Sequence, residues 1–330
     1  MNKVLIAVKL ARPRTWAFSV AGYLLGYMAA ATPAPSQMIL GIMIFALGTA
    51  ATNLVNAYTD VEEDSINLPQ RAEMVKQLGR RNLVHVLWSL YPLIIIASST
   101  ISPLFLLIVA VAEVDSIGYS LPPLRFKQHP VTALLSFSGA VVLPYVAGAV
   151  AAEASPFSPL LLLLGSFMFA YGTVKNIPDI IGDAKAGLKT TATISASLKR
   201  TVETSTILLL TPYLLLTTMI ALDLLSRTYI IDLIFLPFLV YWSLGNAKAT
   251  DVQTLEMLHT FGFVYAVSFI LFNIVITYPS QASLVIGLST LVYITAISRL
   301  SLDSRPQQST IVRQMEPLRQ KDETLGTYRR

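Results

Sequence analysis

The chain has 330 residues, 54% of them hydrophobic and 13% charged, with no cysteine, a formal charge of +5 and a mean hydropathy of +0.62. That balance excludes a soluble or disordered chain, and one whose basic excess serves nucleic acid, in favour of a helix bundle in lipid. The missing cysteines exclude disulfides, thiolate metal sites and cysteine nucleophiles.

Apolar stretches of about 17 to 24 residues, enough for a helix to cross about 30 Å of hydrocarbon, recur along the chain. Ten spans are expected, at about 15–32, 37–58, 82–99, 102–119, 130–152, 157–177, 203–222, 228–246, 257–277 and 281–299. Pro33 and Pro35, Pro103, Pro156 and Pro159, and Pro279 punctuate the junctions. The basic residues Lys3, Lys9, Arg12 and Arg14 precede a first stretch of full spanning length with no small-residue cleavage site in its flank. It is therefore expected to stay as the first helix and not to be removed as a signal. With the N-terminus in the cytoplasm, 23 of the 24 Lys and Arg residues fall on that side and only Arg227 falls outside. The positive-inside rule then places the N-terminus and the long polar connections in the cytoplasm and requires an even number of spans. The tail 301–330 has no apolar periodicity and is expected to be polar, cytoplasmic and disordered, leaving 1–300 as the membrane domain.

The polar chemistry is concentrated after the second, fourth and sixth spans. After the second, Asn56, Asp60 and Asp64 recur at four-residue steps, which on a helix makes one stripe of three oxygen ligands. After the sixth, Asp179 and Asp183 repeat the step and Gly187 marks a turn. Acidic residues at one helix end are ordinarily solvated. Two such clusters emerging from apolar helices at the same membrane face are not, because unpartnered carboxylates near hydrocarbon are costly. Hard oxygen ligands without cysteine or histidine indicate Mg2+ bridging to phosphate oxygens. After the fourth span, Tyr119-Ser-Leu-Pro122-Pro123-Leu-Arg125-Phe-Lys127 offers a basic pair in a proline-stiffened loop, able to neutralise a diphosphate or simply to anchor the chain at the surface. Glu113 and Asp115 fall inside the fourth span, where they either face a cavity as an acceptor-side base or pair with a basic group. The three histidines, His85, His129 and His259, lack metal-ligand spacing and are expected to be structural.

These segments, in this order on these spans, resemble the UbiA superfamily of intramembrane prenyltransferases. The family's N-x-x-x-D-x-x-x-D motif is matched at Asn56, Asp60 and Asp64, and its D-x-x-x-D-x-x-x-G motif at Asp179, Asp183 and Gly187. Its Y-[ST]-x-P-P-x-R-x-K-like loop is matched from Tyr119 to Lys127, and an R-P-x-T-like opening of the first helix at Arg12, Pro13 and Thr15. The resemblance implies an all-α, multi-span bundle of nine helices, to which this chain adds a tenth C-terminal span, around a cavity open sideways to lipid. It implies Mg2+ held by Asn56, Asp60, Asp64, Asp179 and Asp183, with the four aspartates and Tyr119 catalytic. It assigns prenyl-diphosphate binding to Asn56, Tyr58, Arg71, Arg125, Lys127, Lys175 and Lys189. Tyr23, Tyr27, Tyr58, Phe169 and Tyr171 are candidates to stabilise an allylic cation through their ring faces. The stretch Asn67-Leu-Pro69-Gln-Arg71-Ala72 keeps the Asn, Pro and Arg of a family pattern but lacks its final Pro, which weakens the transfer to Arg71.

The implied activity is transfer of a polyprenyl group from its diphosphate to a small aromatic, phenolic or quinone-precursor acceptor, with release of pyrophosphate. The alternative is a UbiA-type terpene cyclase, which ionises the same diphosphate and captures the cation within the chain. A transporter or scaffold with ion-binding stripes is disfavoured by the complete pair of motifs.

Overall fold

The structure is a computed structural model and describes residues 2–30, 34–195, 197–249 and 252–305; the expected tail from 306 onward lies outside them. Among the described residues the chain is helical, without strands. Ten apolar helical segments fall on the ten expected spans. They are α2 (Trp16–Tyr27), α3 (Pro35–Thr59), α6 (Arg80–Ser99), α7 (Pro103–Ser120), α8 (Pro130–Ala151), α9 (Pro159–Lys175), α11 (Leu198–Ala221), a 3-10 turn Arg227–Phe235 leading into α12 (Leu236–Lys248), α13 (Val252–Thr277) and α14 (Gln281–Arg299).

Eight of the ten are long and apolar enough to cross a membrane. The two exceptions are α9, with 17 residues, and α2, with 12. α2 begins where the span is expected, after a left-handed Arg12 (φ 49°) and a 3-10 turn Pro13–Thr15, and is shorter because it ends at Tyr27 and not near residue 32. Four short helices lie outside the spans: α1 (Lys3–Leu10), α4 (Val61–Asn67), α5 (Pro69–Leu78) and α10 (Ile180–Lys185). α4 and α5 occupy the connection 59–81, and α10 part of 178–202.

α2 sits at the centre, with ten of its twelve residues buried, and its backbone lies against α8. A Cβ added at Gly26 would stand 2.0 Å from the Tyr145 carbonyl oxygen, and one at Gly148 would stand 2.1 Å from that of Tyr23. Small residues allow this approach, which in lipid takes the place of a hydrophobic driving force between helices. The outer faces of the bundle are apolar and exposed, as at Trp88, Leu107, Leu214, Leu288 and Val292. Large outward apolar side chains over the whole bundle are the surface of an integral, multi-pass membrane protein.

Candidate functional site

Helix ends bring both acidic segments to one end of the bundle. The stripe Asn56, Asp60, Asp64 does not lie on a single helix as expected, because α3 stops at Thr59, Asp60 is a joint (φ −96°, ψ 20°) and α4 starts at Val61. Glu62, Glu63 and Asp64 in the first turn of α4 favour a fresh helix N-terminus there. The four-residue step survives the joint. The Asp60 N–H donates to the Asn56 carbonyl at 2.9 Å and the Asp64 N–H to the Asp60 carbonyl at 2.7 Å. Asp179 caps α10 and Asp183 lies in its first turn, its N–H 3.0 Å from the Asp179 carbonyl. Gly187 ends that turn with φ 71°, a conformation glycine adopts without strain.

Asn67 ties the two segments together. Its Nδ2 donates to the Asp179 carbonyl at 3.1 Å and its Oδ1 accepts from the Gly182 N–H at 2.8 Å. Gly182 is required for this clasp, since a Cβ there would lie 2.4 Å from the Asn67 amide.

A cavity of about 260 Å³ runs from this end into the bundle. Its mouth is lined by Asn56, Asp60, Asp64, Asp179 and Asp183 together with Arg71, Lys127 and Lys175, and its interior by Phe18, Phe45, Phe137, Leu143, Met168 and Phe263. The carboxylates are held by cations. Lys127 Nζ is 2.6 Å from Asp60 and 3.2 Å from Glu63, Arg125 reaches Glu63 at 3.2 Å, and Arg71 reaches Asp64 at 3.0 Å. Lys175 Nζ donates to the Tyr119 hydroxyl at 3.3 Å and lies over the Tyr119 and Phe137 rings. Asn56 Oδ1 accepts from the Ser120 hydroxyl.

Burial raises the Asp64 carboxyl to about 6, with Asp60 and Asp179 adding to the rise against Arg71. Asp183 is raised by burial and then by the neighbouring charge of Asp179. Burial would lower the Lys127 ammonium, but Asp60 and Glu63 outweigh it and the net direction is up. Asp64 and Asp183 are thus shifted toward the neutral form, chiefly by burial.

Three of the residues assigned to the diphosphate stand elsewhere. Tyr58 does not line the cavity; two positions from Asn56 and from Asp60, it lies about 200° around the helix from each. It packs with Val61 and Met74 against a second apolar cluster, beneath the Arg80 guanidinium 4.9 Å away. Lys189 is exposed between Leu188 and Thr190, which do line the cavity. Arg125 does not line the cavity and, among the described residues, meets the site at Glu63. Of the proposed cation-stabilising rings, Tyr171 lines the cavity. Tyr23 and Tyr27 instead donate to the Gln37 and Ala34 carbonyls at 2.9 Å, bracing the α2–α3 connection, and Phe169 is not in the lining. Phe18, which the sequence did not single out, meets Tyr171, Phe263 and Phe137 at the cavity wall.

Glu113 and Asp115 both line the cavity, and Asp115 accepts from Ser136 at 2.8 Å. His259 lines it too, buried beside Phe263. Glu63, Glu256, Asp303 and Arg305 were not singled out. Glu63 stood in plain view within the acidic run 60–64, whereas the other three depend on long-range folding. Arg305 reaches Glu256 at 2.6 Å and Asp179 at 2.9 Å, so residues 301–305 fold back onto the bundle.

The fold and this site define a multi-pass integral membrane protein whose helices enclose a cavity with a charged mouth and an apolar interior. Residues 17–263 match the UbiA prenyltransferase family, and the chain belongs to it. A protein named lycopene elongase/hydratase from Haloarcula japonica is 31% identical over 202 residues, covering 56% of this chain and 65% of that one, just under two thirds of its length. A digeranylgeranylglyceryl phosphate synthase from Korarchaeum cryptofilum is 27% identical over 205 residues, covering 61% of this chain and 71% of that one. Among solved structures, a UbiA homolog from Archaeoglobus fulgidus bound to DMAPP and Mg2+ superposes with a TM-score of 0.60 at 20% identity, covering 80% of this chain and 98% of that one. At that identity the likeness is one of fold.

Proposed function

We propose that the protein is an intramembrane prenyltransferase that moves a prenyl group from its diphosphate to a lipophilic acceptor and releases pyrophosphate. The observation that carries this is a cavity that joins a carboxylate, lysine and arginine mouth to an aromatic interior. An amphiphile with a multiply charged head and an apolar tail fits such a space and few other ligands do.

Among the described residues no three Asp, Glu, His or Cys side chains converge as a ready metal site. The donors nevertheless suit Mg2+ in kind. They are all oxygens, and Asp64 and Asp183 are raised first by burial and to a lesser degree by neighbouring carboxylates, the part that a divalent cation would relieve. Asp60, Asp64, Asp179 and Asp183, with Asn56, would hold it. When bound, Mg2+ neutralises charge developing on the departing diphosphate.

The chain's own residues supply the rest. Lys127, Lys175 and Arg71 neutralise the leaving group as the allylic C–O bond breaks. Phe18, Phe137, Tyr171 and Phe263 keep water from the cation and present π faces to it. The acceptor's electron pair forms the new bond, and its proton passes to Glu113 in the cavity wall.

The aromatic acceptor implied by the sequence competes with the polyene and the glycerol lipid for which the two relatives are named. Membranes containing the protein, supplied with Mg2+, a C5 to C20 prenyl diphosphate and a panel of phenols, polyenes and glycerol phospholipid precursors, should yield one prenylated product and pyrophosphate. Cyclic hydrocarbon formed without any acceptor would establish the cyclase instead. Asp60→Ala and Asp179→Ala are expected to lower turnover by at least about a hundredfold, as loss of transition-state charge stabilisation requires; unchanged turnover in both would remove the site assignment.

A further inference from the structure

The family match ends at residue 263, and α14 with the segment that follows it lies beyond that limit. This part of the chain is anchored to the site. The Tyr293 hydroxyl donates to the Pro13 carbonyl at 2.8 Å, Asp303 faces Arg12 and Arg14 at 3.5 Å each, and Gln70 donates to the Ser304 carbonyl at 3.3 Å. The Arg305 N–H donates to Asp303 Oδ1 at 2.8 Å, fixing the turn that delivers its side chain. That side chain is 4% exposed and lines the cavity mouth.

Its guanidinium is used along two edges. Nε and Nη2 hold Glu256 at 2.8 and 2.6 Å, a two-point grip from α13 that sets the plane of the group. Nη1 and Nη2 turn their other protons to Asp179, at 3.5 and 2.9 Å. The Glu256 side is structural. The Asp179 side faces the cavity among carboxylates assigned to the metal, so an Asp179 that engages a cation leaves that edge as a fork of donors aimed at whatever anion shares the mouth.

We propose that Arg305, delivered by α14 and its C-terminal turn, is a diphosphate-binding residue of this enzyme. The inference rests on the prenyl-diphosphate reading of the cavity. The guanidinium fork matches phosphate oxygens in two-point geometry, and Glu256 holds it in place before the substrate arrives, so little of its freedom is lost on binding.

The test uses the full chain in lipid nanodiscs and compares wild type, Arg305→Ala, Arg305→Lys and Glu256→Gln. Affinity for inorganic pyrophosphate with Mg2+ is measured directly, beside KM for the prenyl diphosphate, KM for the acceptor, and the thermal unfolding midpoint. Arg305→Ala is expected to weaken pyrophosphate binding and raise KM for the prenyl diphosphate about tenfold or more, the scale of a charge-assisted hydrogen bond, with the acceptor KM unmoved. Arg305→Lys keeps the charge but not the fork and should recover only part of the affinity, and Glu256→Gln should show a smaller loss of the same kind. A folded Arg305→Ala protein with unchanged pyrophosphate affinity overturns the proposal. So does one with raised turnover, which would make Arg305 a plug on Asp179. If wild type neither binds pyrophosphate nor consumes any prenyl diphosphate, the underlying reading has failed; if wild type does both and Arg305→Ala matches it, only this inference has.

Discussion

Glu113 is buried in α7, its Oε2 has no hydrogen-bond partner, and it lines the cavity. A Cβ at Gly48 would lie 2.5 Å from its Oε1, so α3 keeps a glycine where the carboxylate passes. An unpaired buried carboxylate is costly, which makes Glu113 a candidate for a role in the reaction. A ring or alcohol acceptor loses a proton when the new bond forms, and an alkene acceptor either does the same or is captured by water that then loses one; we propose that Glu113, in the cavity wall, receives it. Glu113→Gln keeps the shape and removes the basicity. It should lower kcat about a hundredfold or more with KM for the prenyl diphosphate unchanged, and Glu113→Asp should recover part of the rate. Steady-state kinetics decide the matter, and an unaltered kcat in Glu113→Gln would exclude it as the base.

At the scale of elements, α2 and α8 are the pair on which the cavity wall depends, because Phe18 comes from α2 and Phe137, Leu143 and Pro144 from α8. Their backbones touch at Gly26 and Gly148. Gly26→Ala sets a methyl group against the Tyr145 carbonyl, a backbone atom that cannot swing aside, so the helices must part. The expected cost is about 1–3 kcal/mol, seen as a lower thermal unfolding midpoint in detergent. Gly287→Ala in α14, where a Cβ meets nothing within 4 Å, should leave that midpoint unchanged or raise it slightly. The elements themselves were legible because hydropathy reports burial in lipid directly, and the acidic motifs because few ionisable groups compete for attention in such a chain. Tyr58 and Lys189 lie off the cavity for a local reason: each stands two positions from a motif residue, and on a helix that step turns Tyr58 about 200° away from Asn56, so membership of a motif does not carry a side chain into the cavity. Arg305 was out of reach for a global one. Its partners Asp179 and Glu256 are 126 and 49 residues distant in sequence, and no spacing rule joins them.

For the whole molecule, the two ends of the described chain supply a test of topology that needs no count of hydrophobic stretches. Pro13, Arg12 and Arg14, before α2, meet Tyr293 and Asp303, at and beyond α14, at the same end of the bundle. A described chain that begins and finishes at one end has crossed an even number of times, so α2 and α9, with 12 and 17 residues, either both count as crossings beside the eight long helices or neither does. The basic residues of the described connections gather at this end while Arg227 lies between α11 and α12, so the positive-inside rule predicts a site on the cytoplasmic face, which labelling can test. The absence of cysteine makes the arrangement easy to probe, since any single introduced thiol is the sole target of a maleimide. Lys189→Cys and Glu153→Cys place thiols at exposed positions on connections at opposite ends, 176–197 after α9 and 152–158 after α8. In intact cells a membrane-impermeant maleimide should label Glu153→Cys at once and Lys189→Cys only after permeabilisation. The reverse pattern would turn the molecule over and put the diphosphate site on the outer face, where a cytoplasmic supply of prenyl diphosphate could not reach it.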